Sequence, residues 1–371
     1  LIKLYADNGI KILTNHTEFG IIANEVNNME FMTTKEAVQK WNISERRIRR
    51  LLQDGRIEGA VKVGNNWNIP INALKPADKR KSKAYQSVIE IKDVQKLFEK
   101  RDKDANKGNF GKVGILGGSE KYSGAVKLAN MSLATLRGGA GLVRVIVPRT
   151  TFAAIAPYLL EQTLFLYDNL EDIKEAIKDL DVLAIGMGWD KKEEHLVYLK
   201  YILENFSGRI VIDADGLNTL VGHLDLLTKT KNNNANIVLT PHLKEFSRLI
   251  GKDIPTIKAN AVSFARSFAF KNQVILLLKG STTIITDGKE VHSVKYGTPG
   301  MATSGSGDVL SGIILGLLGY HDFNLLTISA AALLNGLAGQ LAEEVNTDIA
   351  MIASDTVKAI PLAIKKIRDK K

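Results

Sequence analysis

Seven short apolar runs separated by helical stretches are the feature that most constrains the fold of this 371-residue chain. Each run is continuous rather than alternating, which is typical of strands that are buried on both faces of a parallel sheet. We therefore predict an α/β domain whose mostly parallel sheet is flanked by helices. The predicted strands are Val113–Leu116, Leu142–Val147, Val182–Ile185, Ile210–Ile212, Ile237–Leu239, Val274–Leu278 and Thr283–Thr286.

Five of these runs are followed by small, polar or charged residues. Ligands of open α/β sheets bind outside the carboxyl ends of the strands, where such residues come together. Five endings of this kind are difficult to attribute to ordinary turns, so we predict a ligand site at this edge of the sheet. The segments are Gly117–Ser119, Gly186–Gly188, Asp213–Asn218, Thr240–Glu245 and Lys279–Thr283.

A glycine-rich loop, Thr298–Gly307, precedes a predicted apolar helix, Val309–Leu318. The first turn of a helix has unpaired N–H groups and the positive end of the helix dipole, and glycines let a phosphate approach the backbone. Asp308 stands at the predicted helix start, where it could take a proton from a substrate hydroxyl; the alternative is an ordinary N-terminal helix acid. The residues predicted to form the anion hole are Gly305, Ser306 and Gly307.

Two other nucleotide-binding motifs are absent from the sequence. It contains no G-x-x-x-x-G-K-[ST], which leaves the P-loop class unsupported. The glycines at 111, 114, 117 and 118 do not give the G-x-G-x-x-G spacing of a dinucleotide-binding fold.

The strand-end segments contain three further polar residues of interest. His242, one of only six histidines, stands between Thr-Pro and Glu245, which favours a ligand contact over a purely structural role. Asp213 and Asp215 are interpreted as a helix cap and a residue that orients a loop, with catalytic carboxylates as the alternative. Met301 and Trp189 are interpreted as packing residues.

Longer strings resemble the NAD(P)H-hydrate dehydratase family, which has the ribokinase-like fold. The strings follow the family's order and cover about residues 88–371. Sugar and vitamin kinases of the same fold do not combine the TPH-x-x-E string with a GGS string after the first strand, which here is Gly117–Ser119. The matching strings are KGNFGKVGILGGSEKYSGA, GMGW, DADGLN, TPHLKEF, LKGSTT, TPGMATSGSGDVLSG and ASDTVKAIP.

This resemblance implies a reaction and a set of site residues. ADP or ATP would phosphorylate the 6-hydroxyl of (6S)-NADHX or (6S)-NADPHX, and loss of phosphate would then give NADH or NADPH. Asp308 would be the catalytic base, and Mg²⁺ would neutralise the phosphates without a dedicated protein cage. The implied substrate contacts are Ala125, Gly188, His242 and Asp308, and the implied nucleotide contacts are Lys279, Gly280, Ser281, Thr282, Thr283 and Gly307.

Three residues depart from the family's pattern. Lys244 and Ser304 stand where glycine is usual, and Gly216 stands where alanine is usual. None of these changes removes a proposed catalytic group, although Lys244 could alter substrate preference.

Composition excludes several other classes of protein. The chain has no cysteine, which excludes disulfide frameworks, thiolate zinc sites and cysteine nucleophiles and fits a reducing compartment. No apolar run of about 18 residues and no secretory signal pattern is visible, so we expect a cytoplasmic protein with no membrane partner. The resemblance implies a homo-oligomer, a tetramer, and a separate epimerase for the R hydrate.

The first hundred residues predict a different unit. The residues from Met32 to Lys83 hold 13 Lys and Arg against 5 Asp and Glu, most of the chain's net charge of +10. Residues 32–74 resemble a small winged helix-turn-helix of the excisionase or MerR type, with Thr34 and Ser44 as N-caps. Residues 1–31 are left unassigned, residues 75–87 are predicted to be a linker, and Val88–Arg101 is predicted to be an amphipathic helix. The predicted elements of the small unit are a helix to Trp41, a helix Glu45–Asp54, and strands Ala60–Val63 and Trp67–Ile71.

Basic residues of this unit suggest contact with nucleic acid. In the helix-turn-helix fold the second helix enters the major groove, and Lys and Arg neutralise phosphates. The alternative is a solvated basic face on a protein-docking module. The candidate DNA contacts are Arg46, Arg47, Arg49, Arg50 and Lys62.

Three functions for the whole chain therefore remain open. The first is the repair dehydratase, and the second is a kinase of the same fold that acts on a small alcohol such as a vitamin precursor. The third is a DNA-binding regulator that senses nucleotide or damaged cofactor through the large domain.

Overall fold

The computed structural model describes residues 3–6, 9–12, 31–57, 59–71, 73–76, 86–122, 130–228 and 236–369. The chain forms two compact units, Leu1–Ala84 and Tyr85–Lys371.

In its described residues, the N-terminal unit has two helices and an antiparallel five-stranded sheet of order β2-β1-β4-β5-β3. Ile48, Leu51 and Leu52 of the second helix are buried in its core, as the periodicity of that helix predicts. The elements are β1 (Lys3–Ala6), β2 (Gly9–Ile12), β3 (Phe31–Met32), α1 (Thr34–Trp41), α2 (Glu45–Gln53), β4 (Val61–Val63) and β5 (Asn66–Pro70).

Two details of this unit differ from the sequence-based expectation. The N-cap of α1 is Thr33 rather than Thr34, because Thr33 Oγ1 accepts from Glu36 N and the Glu36 carboxylate accepts from Thr33 N in a capping box. Within residues 1–31, which the sequence left unassigned, β1 and β2 form a hairpin that extends the sheet through β4. This hairpin is held in the sheet by backbone hydrogen bonds, which the side-chain pattern of the sequence does not reveal.

The second unit is built on a ten-stranded sheet of order β6-β15-β14-β13-β12-β11-β10-β7-β8-β9. Only β14 runs antiparallel to its neighbours, so the predicted mostly parallel sheet is confirmed. The strands are β6 (Gln86–Val88), β7 (Lys112–Leu116), β8 (Leu142–Pro148), β9 (Thr163–Tyr167), β10 (Val182–Ile185), β11 (Arg209–Ile212), β12 (Ile237–Leu239), β13 (Ile275–Leu278), β14 (Thr283–Thr286) and β15 (Val291–Val294).

Helices cover both faces of this sheet, and alternate residues of each strand enter different cores. Val113 and Ile115 of β7 belong to one hydrophobic core, whereas Leu116 belongs to the other. The described helices are α3 (Ile91–Val94), α4 (Asn130–Arg137), α5 (Phe152–Ile155), α6 (Leu170–Ile177), α7 (Glu194–Asn205), α8 (Ala214–Thr219), α9 (Leu243–Ile250), α10 (Ile254–Ala259), α11 (Ala261–Asn272), α12 (Ser306–Leu318), α13 (Leu325–Ala350) and α14 (Ala353–Asp369).

Glycines fix the position of α12, the helix that follows the glycine-rich loop. A Cβ on Gly316 would lie 2.5 Å from the carbonyl oxygen of Thr135, so α12 packs closely against α4. At the far end of α12, a Cβ on Gly111 would lie 2.3 Å from the carbonyl oxygen of Gly319. Both contacts are closer than any side chain permits, and they hold α12 against α4 and the start of β7.

All seven predicted strands are present, each with ends within one residue of the prediction. Strands β6, β9 and β15 were not predicted. The predicted helix Val88–Arg101 is wrong: Val88 pairs with Ser293 of β15, Ile89 N donates to the Ser293 carbonyl, and the helical turns run only from Ile91 to Phe98. Strand pairing at the sheet edge overrides the helical periodicity there.

Among the described residues, one helix is long and apolar enough to cross a membrane by length and composition alone. This helix is α13, and 83% of its most apolar 18-residue window is buried inside the fold. A core helix of a packed domain passes the same test, and this burial identifies α13 as one.

Replacing Gly111 tests the close approach between β7 and α12. Gly111 has a φ of +73° and Gly222 a φ of +84°, but a Cβ on Gly222 meets no atom within 4 Å. Alanine at either position carries a backbone cost of about 1–2 kcal/mol. We expect Gly111→Ala to lower the free energy of unfolding by roughly 1–3 kcal/mol more than Gly222→Ala, because only its Cβ collides with backbone. Equal losses in urea denaturation of the two variants would contradict this account.

Candidate active site

The loops after β7 and β10 meet at the point where the strand order reverses. The chain moves outward from β7 to β9 and then resumes at β10 on the other side of β7, which creates the crevice where such sheets bind ligands. Gly118 N donates to the carbonyl oxygen of Met187 at 2.9 Å, and a Cβ on Gly117 would lie 2.4 Å from that oxygen. Gly188 follows with a φ of +65°. Gly188, a predicted substrate contact, therefore lies at this crevice. Ala125, another predicted substrate contact, lies outside the described residues.

The N-terminus of α12 forms the second wall of this region. Gly305 is the N-cap with a φ of +91°, so the helix begins at Ser306, three residues before the predicted Val309. Asp308 is therefore the third residue of the helix rather than the residue before it. The Ser306 hydroxyl is buried, and within the described residues it has no hydrogen-bond partner. A helix start with an unsatisfied buried hydroxyl is suited to an anionic ligand.

Asp308 lies in a strongly negative and partly buried environment. Burial, the largest cause, and the negative charge of Asp213 raise the pKa of its carboxyl to about 7. Asp215 and Glu245 make smaller contributions in the same direction, while the Lys279 ammonium opposes the shift. A carboxyl that titrates near neutrality is matched to the work of a general base.

A buried ion pair lies beside Asp308. Lys279 Nζ donates to Asp213 Oδ1 at 2.8 Å, and Asp213 is only 2% exposed. Ser311 of α12 donates its hydroxyl to Asp213 Oδ2 at 2.7 Å. Burial alone would lower the pKa of Lys279, but the carboxylates of Asp213 and Glu245 outweigh burial and raise it, so the side chain is an ammonium. The pair connects the ends of β11 and β13 to α12.

The two aspartates of the Asp213–Asn218 segment have the structural roles predicted from sequence. Asp213 is the N-cap of α8, where its Oδ1 also accepts from Ala214 N at 2.9 Å. Asp215 Oδ2 accepts from Asp190 N at 2.9 Å, which fixes the loop that contains Gly188. A Cβ on Gly216 would lie 2.9 Å from the Ile185 carbonyl oxygen, so the first turn of α8 packs closely against the end of β10.

His242 is the N-cap of α9. Its Nδ1 accepts from the N–H groups of Lys244 and Glu245 at 3.1 Å each, and Glu245 Oε2 accepts from His242 N at 2.8 Å. Burial and the Lys279 charge lower the pKa of His242, so the ring is neutral with its proton on Nε2. Half of the side chain remains exposed, with Nε2 3.5 Å from Glu245 Oε1. Burial raises the pKa of Glu245.

The predicted nucleotide-binding segment forms the turn between β13 and β14. A parallel bridge joins His242 to Lys279, and Lys279 N donates to the Pro241 carbonyl at 2.9 Å. Gly280 and Ser281 are exposed at this turn. A Cβ on Gly307 would lie 3.3 Å from Lys279 Nζ, so the turn, the ammonium and the anion hole are adjacent.

Glu343 of α13 anchors the glycine-rich loop. Its carboxylate accepts from the Thr298 hydroxyl and from Gly300 N, the latter at 3.1 Å. Neither Glu343 nor Ser311 was identified from the sequence. Ser311 gave a weak signal, as a polar residue inside the apolar run of α12, and Glu343 gave none, because the loop that it anchors is more than 40 residues away in sequence.

Trp189 and Met301 are packing residues, as the sequence indicates. The buried Trp189 ring stacks on His195 with centroids 4.1 Å apart and donates from Nε1 to the Tyr167 hydroxyl at 3.0 Å. The Met301 side chain fills the space where a Cβ on Gly339 would otherwise lie.

The part of the chain that the structure describes contains no group of three or more His, Cys, Asp or Glu side chains arranged to hold a metal ion. The carboxylates near Asp308 are engaged with Lys279, Ser311 and backbone N–H groups instead. A cation that works here would have to be bound mainly by ligand phosphates and water.

Comparison with known proteins places these features in a family. The family model described as NAD(P)H-hydrate dehydratase matches residues 113–362. The bifunctional NAD(P)H-hydrate repair enzyme of Moorella thermoacetica is 35% identical over 73% of this chain and 52% of its own length. This chain thus spans about half the length of several curated relatives that it matches. The ADP-dependent (S)-NAD(P)H-hydrate dehydratase of Cenarchaeum symbiosum is 33% identical over 74% of this chain and 95% of its own length.

Solved structures show the same fold. A ribokinase-like superfamily protein from Enterococcus faecalis matches with a TM-score of 0.67 and 25% identity, covering 77% of this chain and 97% of that protein. The ADP/ATP-dependent NAD(P)H-hydrate dehydratase of Bacillus subtilis, co-crystallised with ATP and Mg²⁺, matches with a TM-score of 0.65 and 23% identity, covering 76% and 98%. The second unit has the ribokinase-like fold, and the chain belongs to the NAD(P)H-hydrate dehydratase family.

Proposed function

We propose that the second unit removes water from (6S)-NADHX and (6S)-NADPHX, with ADP or ATP as the phosphate donor. The observation that carries this proposal is Asp308, a carboxyl with a pKa of about 7 on the first turn of α12, beside the unsatisfied hydroxyl of Ser306. Relatives named as ADP-dependent (S)-NAD(P)H-hydrate dehydratases support the choice of substrate and donor.

The proposed chemistry has two steps. Asp308 takes the proton of the C6 hydroxyl while the hydroxyl oxygen attacks the terminal phosphorus of the nucleotide. The bond between that phosphorus and its bridging oxygen breaks, and AMP leaves when the donor is ADP, or ADP when the donor is ATP. The C–O bond of the phosphate ester then breaks, and inorganic phosphate leaves with its electron pair. The neighbouring carbon releases a proton to water, and the electrons of that C–H bond form the ring double bond. Hydroxide is a poor leaving group and phosphate a good one, so the nucleotide drives an otherwise difficult elimination.

The geometry suggests how the remaining residues divide between the two ligands. The anion hole of Gly305, Ser306 and Gly307 would hold the transferred phosphoryl group, since it lies on the same helical turn as Asp308. The His242 ring, Gly188 and Ala125 would contact the hydrate, together with Asp308. The nucleotide contacts would be Lys279, Gly280, Ser281, Thr282, Thr283 and Gly307.

Mg²⁺ fits this site as a companion of the nucleotide. Bound to the phosphates, it supplies positive charge that offsets the charge developing on the transferred group. The protein carboxylate beside it would be that of Asp308, which lies on the same helical turn as the anion hole.

Several properties of the whole protein belong to the same proposal. We place the activity in the cytoplasm, because the chain lacks cysteine and the substrates are intracellular cofactors. A homo-tetramer and a separate epimerase for the R hydrate complete the proposal.

For the N-terminal unit we propose DNA binding, and a specific surface supports it. Arg46, Arg49 and Arg50 are exposed on the face of α2 opposite the buried Ile48 and Leu51. Arg49 forms an exposed pair with Glu45 at 2.8 Å, which contributes little to stability and can exchange for a phosphate. Arg47 is partly buried on the same helix, and Lys62 lies on β4, 6.0 Å from the centre of the Trp67 ring.

Replacing Asp308 tests the assigned base. With (6S)-NADHX, Mg²⁺ and ADP or ATP, we expect the wild-type chain to form NADH, followed by its absorbance. Asp308→Asn should lower kcat by about 10²–10⁴-fold, because the proton acceptor is lost while the nucleotide contacts remain. Nucleotide binding, measured by calorimetry, should change little.

The matched control is Asp172→Asn. Asp172 is also the third residue of its helix, α6, but its Oδ2 accepts from Asp168 N and takes no part in the proposed site. This variant should keep wild-type turnover. No NADH with either nucleotide would overturn the proposed function, whereas phosphorylation of a small alcohol without NADH would favour the kinase alternative.

The pKa of Asp308 predicts the pH dependence of the reaction. The base works only when it is ionised, so kcat/KM should fall as the pH drops through about 7 and lose about tenfold per pH unit below that value. Above the pKa the rate should level off until another group titrates. A rate that stays constant between pH 5.5 and 7.5 would show that a carboxyl of ordinary pKa, or no carboxyl, is the base.

Gel shifts test the second proposal. We expect the wild-type chain to bind duplex DNA with a salt-dependent affinity, and Arg46→Ala/Arg49→Ala to weaken binding and reduce the salt slope by about 2. The matched control is Arg149→Ala/Lys178→Ala, which removes the same charge from exposed ion pairs of the second unit. Equal loss in both variants, or no binding by the wild type at low salt, would contradict the assignment.

A further inference from the structure

Asp213 is the most deeply buried carboxylate in this region, and the reaction outlined above gives it no task. It is 2% exposed, and both of its oxygens are occupied, Oδ1 by Lys279 Nζ and Ala214 N, and Oδ2 by the Ser311 hydroxyl. A buried carboxylate costs considerable desolvation free energy. Capping the short helix α8 needs only one oxygen and no charge, which leaves the Lys279 contact to be explained.

The partner of Asp213 points to the reason. The ammonium of Lys279 lies 3.3 Å from the position that a Cβ on Gly307 would occupy, so it borders the first turn of α12. An anion bound at that turn would come within reach of Lys279 Nζ, which has donors beyond the one that it gives to Asp213. Without Asp213, the long lysine side chain would have many rotamers open to it.

We propose that Asp213, braced by Ser311, is a positioning residue that holds the Lys279 ammonium at the phosphate subsite, where it contacts the transferred phosphoryl group. This inference rests on the proposed function and assigns the Lys279 side chain to the transferred phosphate. Ser311 makes the arrangement rigid, because it belongs to the same helix as the anion hole and Asp308. Movement of α12 would therefore carry the base, the anion hole and the brace together.

The opposite charges of Lys279 and Asp213 make the proposal testable through the titration of Asp308. The charged groups that act on Asp308 are Asp213 and Asp215 from the end of β11, Glu245 from α9 and Lys279 from the end of β13. Lys279→Met and Asp213→Asn break the same ion pair but remove opposite charges. If both residues face Asp308 across the phosphate subsite, the two variants should move its titration in opposite directions.

Lys279→Met should shift the acid limb of the kcat/KM profile upward by roughly 1 pH unit, because the variant loses a positive charge that lowers the pKa of Asp308. Asp213→Asn should shift it downward by a similar amount, because a negative charge is lost and the freed ammonium can turn to Asp308. At the optimum pH, Lys279→Met should lower kcat by about 100-fold with little change in KM for the hydrate. Lys279→Arg should recover part of this loss.

The control is Asp179→Asn. Asp179 lies just before β10, at the amino ends of the strands, and pairs with Arg144 at 2.7 Å and Lys112 at 3.4 Å. Its loss therefore also removes one half-exposed carboxylate charge together with its ion pairs. It should leave the acid limb in place. Thermal unfolding of every variant verifies that it is folded.

Titration of ¹³C-labelled aspartate carboxyls by NMR gives the same answer without turnover, with Asp308→Asn used to identify the signal. Opposite displacements of the Asp308 titration in Lys279→Met and Asp213→Asn, together with a loss of kcat in Lys279→Met that Lys279→Arg partly recovers, support the proposal. Equal displacements, or none, overturn it, because two opposite charges that face Asp308 must move its titration in opposite directions. Opposite displacements with an unchanged kcat in Lys279→Met also overturn it, because the ion pair would then be purely structural. A wild type that shows the expected titration and no dehydratase activity overturns the proposed function instead.

Discussion

The ion pair between Lys279 and Asp213 is the interaction on which the second unit's site depends. It joins two parallel strand ends, β11 and β13, and through Ser311 it reaches the helix that presents the anion hole. Buried ion pairs add little net stability on average, since desolvation of both charges offsets their attraction. Their value lies in fixing one arrangement, because a charge left unpaired in this position would be far more costly.

The same cluster sets the chemistry of Asp308. Three carboxylates and one ammonium surround it, and together with burial they bring its pKa to about 7. An acid in this environment is less stable when ionised than it would be in water, so the fold bears a local cost in order to present a base near neutral pH. Burial in the same region also lowers the pKa of His242 and raises the pKa of Glu245.

Backbone contacts without side chains make this arrangement compact. Gly117 and Gly118 let the β7 loop lie directly on Met187, and Gly316 lets α12 lie directly on α4. These contacts fix the distance between the crevice and the first turn of α12. The resulting site is formed by five segments that are distant in sequence, and each segment is held by a strand end or a helix start.

The amino-acid sequence by itself determined the buried strands, the order of the motifs and the position of the proposed base. Strands buried on both faces must be continuously apolar, and an anion-binding turn requires glycine before a helix, so these features are visible locally. Strand β6 was missed because all three of its residues are exposed, and β15 because His292 and Ser293 interrupt its apolar pattern although the strand is mostly buried. Strand β9 was missed although most of its residues are apolar. Only the tertiary structure decided that Asp213 pairs with Lys279, that Ser311 braces the pair and that Glu343 anchors the glycine loop. Those contacts join residues 43 to 98 positions apart, and no local pattern encodes a partner that far away in sequence.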